Sequence, residues 1–186
     1  MIEYTRQYPF FSLCGLNCGL CPRFHTEGPS KCPGCGGPNF HLKHPSCPVI
    51  TCAKKHDNVE YCFQCISFPC GRYIESSKVD SFISYRNVIR DLNRAKEFGI
   101  QRYQDELNQK IKILENLINH FNDGRKKGLF CNSVNLLTLD SLKKIMKWIG
   151  NEIEPRNVDK KEKIQLIVDS IKSTAEEAEI VLELRK

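Results

Sequence analysis

The sequence predicts a mainly α-helical protein in which a small, irregular, metal-stapled and cysteine-rich N-terminal module (residues 1–74) precedes a helical bundle (residues 75–186). Two observations predict this fold class. Ten of the eleven cysteines lie between Cys14 and Cys70, among seven prolines and six glycines. Beyond residue 75, apolar residues recur at the spacings of three and four that are typical of amphipathic helices.

The cysteine-rich segment has too little apolar surface to fold by hydrophobic burial alone. Residues 14–70 contain only twelve large apolar side chains, and no helical period connects them. Ordering a backbone costs roughly 1–2 kcal/mol per residue, and burial of so few side chains cannot offset that cost. Structural zinc contributes on the order of 10 kcal/mol per site. We therefore expect a metal crosslink.

The cysteine spacings are those of metal knuckles. Two C-x2-C pairs separated by ten residues come close to zinc-ribbon spacing and predict a closed site of four thiolates. A C-x4-C pair and a further C-x2-C pair predict a second such site. The predicted ligands are, in that order, Cys18, Cys21, Cys32 and Cys35, then Cys47, Cys52, Cys62 and Cys65. Cys14 and Cys70 remain, and they can join either site. A third site with His41 and His44 is the other possibility, so the pairing stays open.

No segment of the sequence indicates export or membrane insertion. Pro9–Cys21 comes nearest to a signal-peptide core, but Asn17 and three cysteines interrupt it. No run is apolar enough to span a membrane. We therefore expect a cytoplasmic protein without a membrane partner, whose cysteines stay reduced and bind metal instead of forming disulfides.

Zinc is the expected metal, and 4Fe–4S clusters are the alternative. The knuckle spacing favours zinc. Prolines follow Cys21, Cys32 and Cys47, and Cys-Pro dipeptides are common near iron–sulfur clusters. The C-x3-C-x2-C motif that begins at Cys14 also has the spacing of radical SAM enzymes. Those enzymes need a large barrel of strands and helices, whereas the chain after Cys70 predicts helices only.

Three motifs together resemble one known family. They are C-G-L-N-C-G-L-C at residues 14–21, C-P-G-C at residues 32–35, and Y-C-F-Q-C followed by F-P-C within residues 61–70. The pattern resembles a cysteine-rich family of bacterial and archaeal proteins, frequent in anaerobes, that is described only as a domain of unknown function. The resemblance covers roughly residues 10–75. It implies zinc binding through the cysteines, its anaerobic bias mildly favours iron–sulfur clusters, and it implies no particular activity.

The C-terminal part predicts four helices and a short fifth. Ser76 and Ser77 are suitable N-caps for the first, and Gly150 is expected to end the third. Thr174 and Glu177 form a capping-box pattern that would open the fifth. The predicted boundaries are about 76–98, 100–121, 138–149 and 159–171, with a polar connector at 125–128.

The sequence favours a binding protein over an enzyme. No His–Asp pair, glycine-rich phosphate loop or paired carboxylates accompany the cysteines, so we assign no catalytic residue. An enzyme acting through Cys14 or Cys70 is the least favoured class, after an electron carrier with iron–sulfur clusters. A protein is the expected partner. Arg86, Arg90 and Arg94 share a face that could bind nucleic acid, but acids intersperse the segment. The net charge of +6 also falls once thiolates bind metal.

Overall fold

Helices make up the larger part of the structure, a computed structural model that describes residues 4–44, 46–76 and 79–186. Two 3-10 turns at Cys18–Leu20 and Cys62–Gln64 interrupt the cysteine-rich segment. The described residues contain no β-strand, so the expectation of a mainly α fold is confirmed. The α-helices are α1 (Phe40–Lys43), α2 (Pro48–Lys54), α3 (Gly71–Ser76), α4 (Val88–Phe98), α5 (Ile100–Phe121), α6 (Lys127–Leu136), α7 (Leu139–Trp148) and α8 (Lys160–Glu177).

Helix α5 is the central element of the bundle, and its bounds agree with the sequence prediction. Its apolar stripe packs against α4, α6, α7 and α8, and Leu107, Leu114 and Leu117 are almost fully buried. The predicted starts of α7 and α8 are also confirmed. The side chains of Thr138 and Asp159 accept backbone N–H groups at the two N-termini, which satisfies donors that have no partner inside the helix.

The predicted start of the first bundle helix was wrong. Ser76 ends α3, Ser77 lies outside the described residues, and α4 begins only at Val88. The intervening loop is held by Asp80, whose carboxylate accepts the backbone N–H of Tyr85 at 2.8 Å and the Arg185 guanidinium at 2.6 Å. These bonds hold the loop in a non-helical conformation. The sequence pattern does not reveal them, since Arg185 is distant from Asp80 in the sequence.

Three further boundaries differ from the sequence prediction. The connector predicted at 125–128 is shorter, because Lys127 already begins α6. Gly150 does not end α7, since the chain continues through a π-helical turn at Ile149–Ile153 in which both isoleucines are buried. Thr174 donates to the Ser170 carbonyl inside α8 and opens no separate helix. In each case packing against the core outweighs a local signal that amounts to about 1 kcal/mol.

One apolar cluster joins the cysteine-rich segment to the bundle. Phe11, Leu20 and Tyr61 are almost completely buried and belong to the same cluster as the inward faces of α4 to α8. A smaller cluster lies within the cysteine-rich segment and consists of Leu13, Phe40, Ile50 and Ala53. None of the helices in the described ranges is long and apolar enough to cross a membrane.

The Asp80–Arg185 pair is expected to make stability depend on pH. Burial alone would raise the pKa of Asp80, but hydrogen bonds from Arg185 and from backbone amides lower it to about 2. A depressed carboxyl pKa stabilises the fold above about pH 4, and this contribution is lost as pH falls toward 2. Asp80→Asn should therefore cost about 2 kcal/mol at pH 7, measured by urea unfolding. The difference from the unmodified protein should shrink between pH 5 and 2, and a constant difference would contradict this origin.

Candidate metal centre

All eleven cysteines are free thiols in the structure. Cys131 is fully buried on α6 and packs as an apolar residue of the bundle core. The ten cysteines of residues 14–70 are partly exposed. The thiols that the sequence predicts as ligands therefore differ from Cys131 in exposure.

Five of these thiols surround one cavity, here called the five-cysteine cavity, of about 120 Å³. Its walls are mostly apolar and come from α2, α3 and the start of α4. His56 also lines this cavity, and its Nδ1 lies 3.7 Å from Cys52 Sγ. The five cysteines are Cys14, Cys52, Cys62, Cys65 and Cys70. Cys14 and Cys70, which the spacing leaves unassigned, are thus grouped with three other thiols.

A second cavity, here called the three-cysteine cavity, has a volume of about 300 Å³. It is lined by Cys18, Cys21, Cys32 and His44, together with the cationic side chains of Arg23 and Lys43 and the aromatic rings of Phe82 and Tyr85. The His44 ring stacks on Phe40, and its Nε2 lies 3.9 Å from Cys32 Sγ. A histidine therefore lines this cavity together with the three thiols, while Cys35 approaches Cys18 through its backbone amide.

Cys35 and Cys47 line neither of these two cavities. Both pack against the small cluster around Leu13 and Phe40. The two thiols influence each other electrostatically, since a charge on Cys47 would raise the pKa of Cys35. Cys35 also lies close to Cys14 and Cys18, because its amide donates to the Cys18 sulfur and a charge on it would add to the effect of burial in raising the pKa of both thiols.

Backbone amides donate to several of the sulfurs. Cys21 Sγ accepts from the amides of Arg23 and Phe24, which is the arrangement of a metal knuckle. Burial raises the pKa of Cys21, and these amides partly oppose that effect. Burial likewise raises the pKa of Cys62 to about 11, although a hydrogen bond from the Tyr73 hydroxyl acts to lower it. Such thiols stay protonated near neutral pH unless a cation takes the place of the proton.

The loop that carries the first three cysteines is anchored to the bundle by Asn17. Its side-chain amide donates to Asp91 Oδ2 at 2.9 Å and to Asn135 Oδ1 at 3.0 Å, and its oxygen accepts the Tyr103 hydroxyl at 2.9 Å. All four side chains are buried. Next in the loop, a Cβ on Gly19 would lie 2.5 Å from the terminal methyl group of Ile111 in α5, so a larger residue there would require the Ile111 side chain to move. The bundle therefore fixes the position of the thiols.

The donor chemistry fits a soft divalent ion, because reduced thiols with amide donors are characteristic zinc and iron–sulfur ligands. Among the described residues, however, no three Cys, His, Asp or Glu side chains are grouped closely enough to hold an ion as they stand. Binding would therefore require thiol side chains to rotate toward a common point.

Sequence reasoning missed three residues near the thiols. Asn17 and His56 lie inside or beside the cysteine motifs, but nothing in their spacing distinguishes them from surface residues. Arg6 lies outside the motifs and is buried beside Tyr61. His41 lines neither cavity. Contacts that are distant in sequence reveal the roles of Asn17 and Arg6, whereas His56 contacts Cys52 four residues away.

The turn between the second pair of knuckle cysteines offers a direct test of the local geometry. Gly34 has a φ of +81°, and a Cβ there would lie 2.5 Å from the Pro9 carbonyl oxygen. Gly34→Ala should cost about 1–3 kcal/mol, measured by urea unfolding of the reduced protein. Gly128→Ala in α6 is the matched control, since its Cβ meets open space and should stabilise the helix by up to about 1 kcal/mol. Equal effects at both positions would contradict the strained turn.

The fold and the thiol-lined cavities define a mainly α, cysteine-rich protein. The resemblance of the cysteine-rich segment to an uncharacterised family is confirmed. Residues 10–75 match the family described as "Protein of unknown function (DUF3795)". The match ends where α3 ends and leaves α4 to α8 outside it. Neither the curated proteins nor the solved structures with which the chain was compared contain a match.

Proposed function

We propose that this protein binds metal through the cysteines of residues 14–70 and acts as an interaction module whose surface the metal holds in shape. The observation that carries the proposal is the gathering of eight thiols around two cavities. Clustered free thiols among few apolar side chains have little other structural use, since they contribute less burial than aliphatic residues. Structural zinc is the preferred metal, and a reducing compartment such as the cytoplasm is where such thiols persist.

Each cavity is lined by enough candidate ligands for a tetrahedral ion, provided that the thiol side chains rotate toward a common point. In the three-cysteine cavity, Cys18, Cys21 and Cys32 would bind with His44. In the five-cysteine cavity, four of the five thiols would suffice for zinc. Cys35 and Cys47 would complete a third group or replace a ligand in one of these two sites. The protein would thus hold two or three ions, each crosslinking segments that are distant in the chain.

An iron–sulfur cluster is the second candidate, with an electron-transfer or redox accessory role. It draws on the same five thiols of the five-cysteine cavity, four of which would suffice for a 4Fe–4S cluster. The prolines that follow Cys21, Cys32 and Cys47 also fit the surroundings of such clusters. The thiols of Cys14 or Cys70 could alternatively stay reactive in an enzyme, which remains the least favoured class.

A protein partner is better supported than nucleic acid. Ile66 is fully exposed in the loop beside the five-cysteine cavity, and Phe82 is 60% exposed at the three-cysteine cavity. Exposed apolar side chains of this size favour protein contacts. The arginines predicted for nucleic acid bind within the chain instead: Arg94 pairs with Glu106, Arg86 with a backbone carbonyl and Arg90 with Asp91. These contacts reduce the charge available to phosphate.

Elemental analysis of protein purified without oxygen tests the proposal. Zinc, iron and acid-labile sulfide are measured on the same sample, before and after dialysis against a weak chelator. Two or three zinc ions per chain without iron are expected. Iron with an equal amount of sulfide would favour the iron–sulfur cluster over zinc. A chain free of both metals would contradict metal binding altogether.

A further inference from the structure

Arg6 is a buried cation without an adequate counter-ion. Its side chain is only 3% exposed, and within residues 4–44, 46–76 and 79–186 no acceptor meets its three guanidinium nitrogens in good hydrogen-bond geometry, although the neutral hydroxyls of Tyr4 and Tyr61 lie close to it. The nearest carboxylate, on Glu60, is 3.7 Å away and belongs to a side chain that is 59% exposed. The Tyr61 ring lies 4.4 Å from the guanidinium carbon. Burying a charge with so little compensation is unfavourable, so we expect an anion to form nearby.

The backbone holds Arg6 beside the second knuckle. The Arg6 amide donates to the Gly36 carbonyl at 2.9 Å, and the Cys35 amide donates to the Pro9 carbonyl at 2.9 Å. These two bonds lay the N-terminal segment alongside the knuckle. The proximity of Arg6 to Cys35 is therefore built into the backbone and does not depend on a flexible side chain alone.

Cys35 is the neighbour that can supply the missing charge. The other groups that interact electrostatically with Arg6 are the hydroxyls of Tyr4 and Tyr61. Burial raises the pKa of both tyrosines, so they stay neutral. The Leu13 amide donates to the Cys35 sulfur, and the Arg6 guanidinium lies close enough to interact with that sulfur. A bound metal displaces the thiol proton and makes the thiolate permanent.

We propose that Arg6 is the buried counter-cation of a metal-bound thiolate at Cys35. The assignment rests on the proposed metal binding and adds a residue from outside the cysteine motifs to the site. A divalent ion with four thiolates keeps two negative charges, and a buried guanidinium offsets part of them. Arginine suits the place better than lysine because its planar group lies over the Tyr61 ring while its charge reaches the sulfur.

The test compares zinc affinities of Arg6→Met and Arg6→Lys with the unmodified protein, by competition with a chromophoric chelator of known affinity under reducing conditions. Partners of metal ligands typically change affinity 10- to 100-fold, so Arg6→Met should weaken the binding of one zinc ion by that factor. Arg6→Lys keeps the charge and should recover most of the loss. Arg156→Met removes the same charge from an exposed position and should leave every affinity unchanged.

Unfolding of the metal-free protein distinguishes a counter-cation of the metal site from a residue that only stabilises the fold. There Arg6→Met should be no less stable than the unmodified chain, because it removes an uncompensated buried charge. Unchanged zinc affinity in Arg6→Met, or the same loss in Arg6→Lys, would overturn the counter-cation while leaving metal binding intact. An unmodified chain that binds no zinc would overturn the proposed function and the assignment together.

Discussion

Removing the metal with a strong chelator is expected to destabilise the whole chain and not only the cysteine-rich segment. Each structural zinc ion contributes on the order of 10 kcal/mol of folding free energy. Phe11, Leu20 and Tyr61 share one core with α4 to α8. Unfolding of the cysteine-rich segment would therefore remove part of the packing of that core. The fluorescence of Trp148, the one tryptophan of the chain and a residue of α7, should report a lower melting temperature.

Controls for this experiment use the position of the cysteines. Re-addition of zinc to the reduced, chelated protein should restore the melting temperature. Cys21→Ala, in the three-cysteine cavity where no thiol is spare, should lower zinc content, whereas Cys131→Ala, in the bundle core, should keep it unchanged at a small cost in stability. If the melting temperature reported by Trp148 is the same with and without the chelator, structural metal in contact with the shared core is contradicted.

Asn17→Leu is expected to cost about 3–5 kcal/mol, because it breaks a buried hydrogen-bonded group that includes a carboxylate. Asn17 makes three hydrogen bonds, to Asp91, Asn135 and Tyr103. Leucine has the same branching and the same number of side-chain heavy atoms but no polar atoms, so the Asp91 carboxylate would lose a donor in a site where it is only 3% exposed. Urea unfolding followed by far-UV circular dichroism measures the change.

Asn93→Leu is the matched control for Asn17→Leu. Asn93 lies on the exposed face of α4, so the same chemical change should alter stability by less than about 0.5 kcal/mol. Asn17→Leu should also speed alkylation of the neighbouring cysteines, since the loop would lose its anchor on the bundle. Equal costs at the two positions would argue that the Asn17 contacts contribute nothing specific.

The long helices could be predicted because their signals are local. Helix α5 has an uninterrupted apolar period, and it begins and ends where the sequence indicates. Thr138 and Asp159 cap α7 and α8 because a cap needs only its own side chain and the following turn. The start of α4 could not be predicted, because it depends on the bond between Asp80 and Arg185, which are distant in sequence. The extent of α8 could not be predicted either, because burial of Ala175 stabilises the helix beyond Ile171.

By itself, the sequence determined the helical class, the segregation of ten cysteines into residues 14–70 and the family resemblance of that segment. Only the tertiary structure decided which thiols are neighbours. It groups Cys14 and Cys70 around the five-cysteine cavity, brings His44 to the three-cysteine cavity, and places Arg6 close to Cys35. The physical reason is that spacing constrains cysteines within one knuckle, whereas the meeting of separate knuckles depends on how the loops pack against the bundle.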